Sequence, residues 1–151
     1  EDMAKYVAFH LAAYPARDEA DAGPVKRSSV REMSQLQRFG GMNAAGAMRV
    51  TAGGYGYGLG VSQNCAFGHV VGHGGGLPGF GSYMMWLPEY GVGMFAMANS
   101  TYAGLAGTMR EALEHLQKEG VIRPRAVPVS AEAEKTAKGL IDLWLQPDAA
   151  K

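Results

Sequence analysis

The sequence predicts an α+β domain in which an antiparallel sheet is flanked by helices. Short apolar runs separated by turn residues fill the region from residue 55 to residue 98, which is typical of strands. The connection Pro88–Gly91 between two of these runs can only be a hairpin, because a parallel pairing needs a crossover of about a dozen residues or more. On both sides of this region, apolar residues recur at helical spacing.

Composition limits the classes of function. The 151 residues, of which 47% are hydrophobic, suffice for one domain or for part of a larger one. Fourteen basic residues balance fourteen acidic ones, so we expect no nucleic-acid partner. No apolar run approaches the ~20 residues of a membrane span. Cys65 is the only cysteine, which excludes an intrachain disulfide and a thiolate metal cage. Because the chain starts at Glu1 and has no signal-peptide pattern, we expect it to be a piece of a longer protein.

Two helices are predicted near the N-terminus. The first covers residues 2–14 and ends at Pro15. The second begins with a capping box formed by Ser29 and Glu32, runs to about residue 38, and is stopped by Gly40-Gly41. Residues 40–54 are rich in Gly, Ala and Met and show no clear period, so we interpret them as a connecting loop.

Four strands are predicted next, with a turn containing Gln63-Asn64 between the first two. They cover residues 55–61, 67–73, 80–87 and 91–98. The apolar stripes at residues 84–86 and 94–97 are expected to pack in the core.

The C-terminal third is predicted to be helical with one interruption. Asn99-Ser100-Thr101 caps a helix over residues 102–118, and Gly120 is its C-cap glycine. We expect a domain over residues 1–122, a linker over 123–130, and a segment 131–151 that begins a further domain. Its helix, residues 131–145, has an apolar face that needs a partner.

The candidate functional stretch is centred on His73. Four glycines surround this histidine at the end of a predicted strand, so a ligand could approach the backbone and meet unpaired N–H groups suited to an oxyanion. The alternative is a tight turn with a surface histidine, and the spacing alone leaves both open.

Several motifs together resemble a known family. The run from His73 to Ser100 contains H-G-G-G-L-P-G-F-G-S, W-L-P-E-Y-G-V-G and M-A-N-S. With E-D-M-A-K-Y at the start, the motif S-V-R-E-M at Ser29 and the motif Y-G-L-G at Tyr57, it resembles class C β-lactamases, D,D-peptidases and related esterases over about residues 1–120. The resemblance implies the C-terminal part of the β-lactamase/transpeptidase-like fold.

The resemblance also implies a chemistry and a set of site residues. The family's third motif, K-T-G or H-x-G, falls on His73-Gly74-Gly75. His73 would bind the substrate carboxylate or polarise the hydroxyl network, and Gly76 would supply one oxyanion N–H. The reaction implied is acyl-serine transfer on a β-lactam, a D-Ala-D-Ala peptide or a small ester, without metal or organic cofactor. The resemblance also implies a periplasmic or other extracytoplasmic location.

Two family motifs are absent from the chain. No S-x-x-K occurs, and none of the seven tyrosines begins a Y-x-N; we interpret Ser62-Gln63-Asn64 as a coincidence in a turn. The nucleophile is therefore expected in a missing N-terminal half, and the chain alone is expected to be inactive. With its first strands absent, the chain should expose a sheet edge and an apolar face. We expect it to associate with that half or to form a strand- or helix-exchanged homodimer.

Other functions fit the sequence less well. His69 and His73 lie two pleats apart without a nearby third ligand, which disfavours a metal site. A lipase-type H-G-G-G element needs a G-x-S-x-G elbow, and a dinucleotide loop needs G-x-G-x-x-G; neither occurs. His10 and His115 are expected to pack in helices or lie on the surface. A non-catalytic module that keeps the sheet and binds or supports other molecules remains the alternative to an enzyme.

Overall fold

A computed structural model describes residues 1–17, 19–44 and 50–145, and its architecture is α+β, as predicted. The helices are α1 (Asp2–Leu11), α2 (Arg27–Met33), α3 (Leu105–Lys118) and α4 (Ala131–Leu145). The strands are β1 (Arg38–Ala44), β2 (Val50–Tyr55), β3 (Gly60–Asn64), β4 (Gly68–Leu77), β5 (Phe80–Leu87) and β6 (Val92–Ala98). Each strand pairs antiparallel with the next, which gives one sheet in the order β1-β2-β3-β4-β5-β6.

The hairpin predicted between β5 and β6 is confirmed. The backbone N–H of Gly91 donates to the carbonyl of Leu87 at 2.9 Å, and Gly91 has a φ of 68°. A glycine adopts this left-handed conformation without the steric cost that a Cβ would bring. The predicted bounds of β5 are also confirmed, and β6 begins one residue later than predicted.

The sheet buries a separate apolar cluster on each face. Alternate residues of β5 point to opposite sides. Trp86 packs with Val7 of α1 on what we call the α1 face, whereas Leu87 packs with Leu113 of α3 on the α3 face. The prediction that residues 84–86 lie in the core is confirmed. The same prediction is wrong for part of residues 94–97, because Phe95 and Met97 lie on the α1 face beyond the cover of its helices and are exposed.

The predicted loop over residues 40–54 is wrong. Its described residues form most of the β1–β2 hairpin, with an irregular register between Phe39 and Gly41. The strands show no hydrophobic period because β1 is almost entirely exposed and β2 is only half-buried. Residues 45–49 of the predicted loop lie outside the described residues.

The second helix is shorter than predicted. It begins at Arg27 and ends at Met33, and its N-terminus has no side-chain cap, so the capping box predicted from Ser29 and Glu32 is wrong. The first helix ends at Leu11 rather than at Tyr14.

One predicted strand and one predicted turn are displaced. The predicted strand over residues 55–61 is the end of β2, a connection and the start of β3. Gln63-Asn64 lies in β3, and the turn follows it: the Asn64 Oδ1 atom accepts hydrogen bonds from the backbone N–H groups of Ala66 (3.0 Å) and Phe67 (2.8 Å).

The helix α3 starts three residues later than predicted, at Leu105, with Gly104 as its N-cap residue and no side-chain cap. Gly120 follows its C-terminus with a φ of 71°, in agreement with the predicted role. Every residue of α4 is exposed, so its apolar face is uncovered in the described structure. No helix among the described residues has the length and apolar character needed to cross a bilayer.

Candidate active site

The stretch around His73 is a strand, and the turn lies beyond it at Pro78-Gly79. The ladder between β3 and β4 ends at the pair Gly60↔Gly72, whereas β4 continues to Leu77. Residues 73–77 are therefore paired with β5 on one side, and no described strand pairs with them on the other. In an antiparallel sheet, alternate residues direct their N–H and C=O groups to opposite neighbours. This overhang of β4 consequently presents free backbone donors and acceptors.

Two tyrosine rings on the α3 face lie close behind two glycines of the overhang. A Cβ atom on Gly74 would lie 3.1 Å from the ring of Tyr83, and one on Gly76 would lie 2.5 Å from the ring of Tyr102. A larger residue at Gly76 would displace the Tyr102 ring, and one at Gly74 would push the Tyr83 ring by a few tenths of an ångström. The two rings thus support the overhang from one face, and His73, Gly74 and Gly75 are exposed.

His73 has a partner that the sequence did not reveal. The Tyr55 hydroxyl and the His73 Nε2 atom lie 2.9 Å apart, and the two rings meet edge to face with centroids 6.2 Å apart. Tyr55 ends β2 opposite Gly60, the first residue of β3. Because β3 has no residue beside His73, the two side chains meet across the end of that strand. The contact depends on β3 being shorter than β2 and β4, its two neighbours. The sequence alone does not show this, because the contact follows only from the register of the three strands.

An apolar groove lies beside the overhang. Its volume is about 400 Å³. Its most exposed side chains are Leu77 (68%), Met97 (66%) and Phe80 (64%). Gly75 and Ser82 also line the groove, and the Ser82 hydroxyl donates to the Gly75 carbonyl at 3.4 Å. The site therefore combines a polar strand edge with an apolar wall, a pairing typical of small-molecule sites.

His69 does not belong to this site. It is buried at the opposite end of β4, where its Nε2–H donates to the Ser34 carbonyl at 2.8 Å. Burial lowers the pKa of His69, an effect that the Ser34 carbonyl and the Glu89 carboxylate oppose. His69 and His73 therefore have separate partners, and the described residues contain no group of three or more His, Cys, Asp or Glu side chains that could hold a metal ion.

The other two histidines occupy different environments. His10 is buried between α1 and the sheet, with its ring stacked on that of Trp86 at 4.6 Å. Burial lowers the pKa of His10. His115 is exposed on α3. Neither lies among the residues that surround His73.

A comparison with protein families matches residues 1–118 to the family described as Beta-lactamase. The match ends at the C-terminal residue of α3, so it includes all six strands, both faces of the core and the overhang. No curated protein and no solved structure matches the chain significantly.

Proposed function

Because the chain belongs to the Beta-lactamase family, whose members include serine hydrolases, we propose that its β4 overhang is the substrate-binding edge of an enzyme that works by acyl-serine transfer. One observation carries the proposal. Residues 73–77 extend past the last residue pair between β3 and β4 and keep a backbone edge free for a ligand. A tight turn with a surface histidine would not offer such an edge.

Each residue of the edge has a proposed role. His73 donates a hydrogen bond to the substrate carboxylate or to the hydroxyl network around the nucleophile. Gly74 and Gly75 let the substrate lie against the strand, because they place no side chain between it and the backbone. Gly76 supplies one N–H to the oxyanion of the tetrahedral intermediate, and the loss of such a donor typically lowers the rate about 10²- to 10³-fold.

The nucleophile is proposed to come from a segment outside these 151 residues. An acyl-serine mechanism in this family needs the serine and lysine of S-x-x-K, and the sequence has no such motif. The chain alone would then supply one side of the substrate-binding site and would not hydrolyse the substrate. The substrate class is a small amide or ester, such as a β-lactam, a D-Ala-D-Ala peptide or an ester. No metal or organic cofactor enters the proposal.

A binding experiment tests the edge without requiring turnover. We expect millimolar benzylpenicillin to shift the backbone amide resonances of Gly74, Gly75 and Gly76 in the ¹⁵N-labelled chain. His73→Ala should weaken these shifts, whereas His115→Ala, which removes an exposed histidine on α3, should not. Shifts confined to other residues, or equal shifts in the two variants, would contradict the proposed edge.

Covalent labelling tests the proposed location of the nucleophile. A fluorescent penicillin should leave the isolated chain unlabelled after denaturation, because no serine of the chain lies in an S-x-x-K motif. Stable labelling of a serine in this chain would refute this part of the proposal. Binding to the overhang without labelling, even after a complementary N-terminal half is added, would favour the non-catalytic binding module.

A further inference from the structure

The Tyr55–His73 contact points to a residue beyond the H-x-G motif. We propose that Tyr55 is a positioning residue, which holds His73 in the tautomer that carries its proton on Nδ1. The tautomer follows from the contact alone. Its consequence, that His73 presents an N–H donor to the substrate, rests on the proposed function. The contact itself is a 2.9 Å hydrogen bond between the Tyr55 hydroxyl and the His73 Nε2 atom.

The chemistry of the two groups sets the direction of this hydrogen bond. A neutral imidazole has one nitrogen that donates and one that accepts, and the partner of one nitrogen fixes the role of the other. A phenol O–H is a good donor and its oxygen a weak acceptor, whereas the imidazole lone pair is a strong acceptor. The favoured arrangement is therefore Tyr55 O–H donating to Nε2 of His73. Nδ1 then carries the proton.

Tyr55 is held in place by the backbone around it. Its carbonyl accepts a hydrogen bond from the N–H of Gln37 at 3.1 Å. The next residue, Gly56, donates to the carbonyl of Leu59 at 2.8 Å, and Tyr57 donates to the carbonyl of Met33 at 3.0 Å. Main-chain bonds on both sides thus fix the end of β2, so the hydroxyl reaches His73 from a rigid support.

The geometry around His73 leaves Tyr55 as its one hydrogen-bonding side chain among the described residues. Without this hydroxyl, the exposed ring would rotate and exchange protons between its nitrogens through water. With it, the Nδ1–H donor is present before a ligand arrives, and a preorganised donor costs less to order on binding. Tyr55 thereby acts on the substrate through His73 and not by its own contact.

The tautomer can be read directly. Long-range ¹H–¹⁵N spectra of the neutral imidazole should show the proton of His73 on Nδ1 in the wild-type chain. In Tyr55→Phe, which keeps the ring and removes the hydroxyl, the spectrum should change to the Nε2–H form or to a mixture. The matched control is Tyr57→Phe, since Tyr57 is an exposed tyrosine of the same connection and should leave the tautomer unchanged.

The same samples separate this inference from the proposed function. We expect Tyr55→Phe to raise the Kd for benzylpenicillin, measured by titration from the shifts at residues 74–76, by about two- to tenfold, the range for one neutral hydrogen bond. An Nε2–H form in the wild type, or an unchanged Nδ1–H form in Tyr55→Phe, overturns the role of Tyr55 whatever penicillin does. The opposite pair of results is also informative. If the tautomer changes in Tyr55→Phe as expected, but penicillin does not perturb the overhang of the wild-type chain, the role of Tyr55 is supported and the proposed function is refuted.

Discussion

Acid should destabilise this chain through two buried histidines, His10 and His69. The ring of His10 stacks on Trp86, and neither of its nitrogens has a hydrogen-bond partner among the described residues. A protonated His10 would be a buried cation without a partner, and so burial lowers its pKa below the ordinary value of 6.5. Burial also lowers the pKa of His69, against the opposing effects of the Ser34 carbonyl and of Glu89.

The sign and size of the effect follow from proton linkage. Well above pH 6.5 both histidines are neutral in the folded and unfolded chains, and they add no pH dependence. As the pH falls below 6.5, the unfolded chain takes up protons first, so the free energy of unfolding decreases. Each histidine contributes a slope of at most about 1.4 kcal/mol per pH unit, which applies between the pKa of the unfolded chain and its lowered native pKa. A domain of this size is stable by only about 5–15 kcal/mol.

Urea unfolding at pH 7.5, 6.5 and 5.5 measures this slope. In His10→Phe, an aromatic ring remains against Trp86 but cannot be protonated, so the loss of stability between pH 6.5 and 5.5 should be smaller than in the wild type. The control is His115→Gln, which removes a histidine that is exposed on α3 and should keep the wild-type slope. An unchanged slope in His10→Phe would contradict the contribution of His10. A wild-type stability that rises as the pH falls would contradict the effect of both buried histidines.

Two further predictions concern packing and assembly. A Cβ atom on Gly93 would collide with the Val7 side chain, so Gly93→Ala should cost about 1–3 kcal/mol in urea unfolding. Gly107→Ala on α3, where nothing lies within 4 Å, should cost nothing; equal effects would contradict the close contact of α1 with β6. Sedimentation velocity should find dimers, because β6 is an edge strand and apolar side chains are exposed beside it and on α4. A single, tightly folded monomer would count against this association.

The sequence predicted the strand whose apolar residues are buried, and it missed the strand that is almost entirely exposed. In β5, large apolar residues pack on both faces and the run ends at Pro88, so its bounds were readable. In β1, six of seven residues are exposed, so its sequence has no hydrophobic pattern from which a strand could be predicted. Gly54 carries a different constraint, because a Cβ atom there would collide with the backbone of Arg38 on β1. Without the register, a glycine required by such a close contact cannot be distinguished from a glycine in a loop.

The candidate site divides in the same way. His73 and the glycines that follow it could be recognised because their spacing along one strand is fixed by that strand alone. Tyr55 could not, since its position beside His73 depends on the number of residues in β3 and on the pairs Tyr55↔Gly60 and Gly60↔Gly72. Contacts between residues 18 positions apart are set by register, and a motif does not contain the register.

The structure also gives a second meaning to the glycines of the overhang. The sequence suggested that they expose backbone to a ligand, but they are also constrained from behind, where a Cβ atom on Gly76 would collide with Tyr102 and one on Gly74 would lie 3.1 Å from Tyr83. The Tyr83 ring packs against the apolar cluster of the α3 face, and burial raises the pKa of its hydroxyl. A strand edge that is unpaired on one side would ordinarily be free to bend. The two rings and the ladder with β5 restrain it, which would allow its N–H groups to be preorganised for an oxyanion.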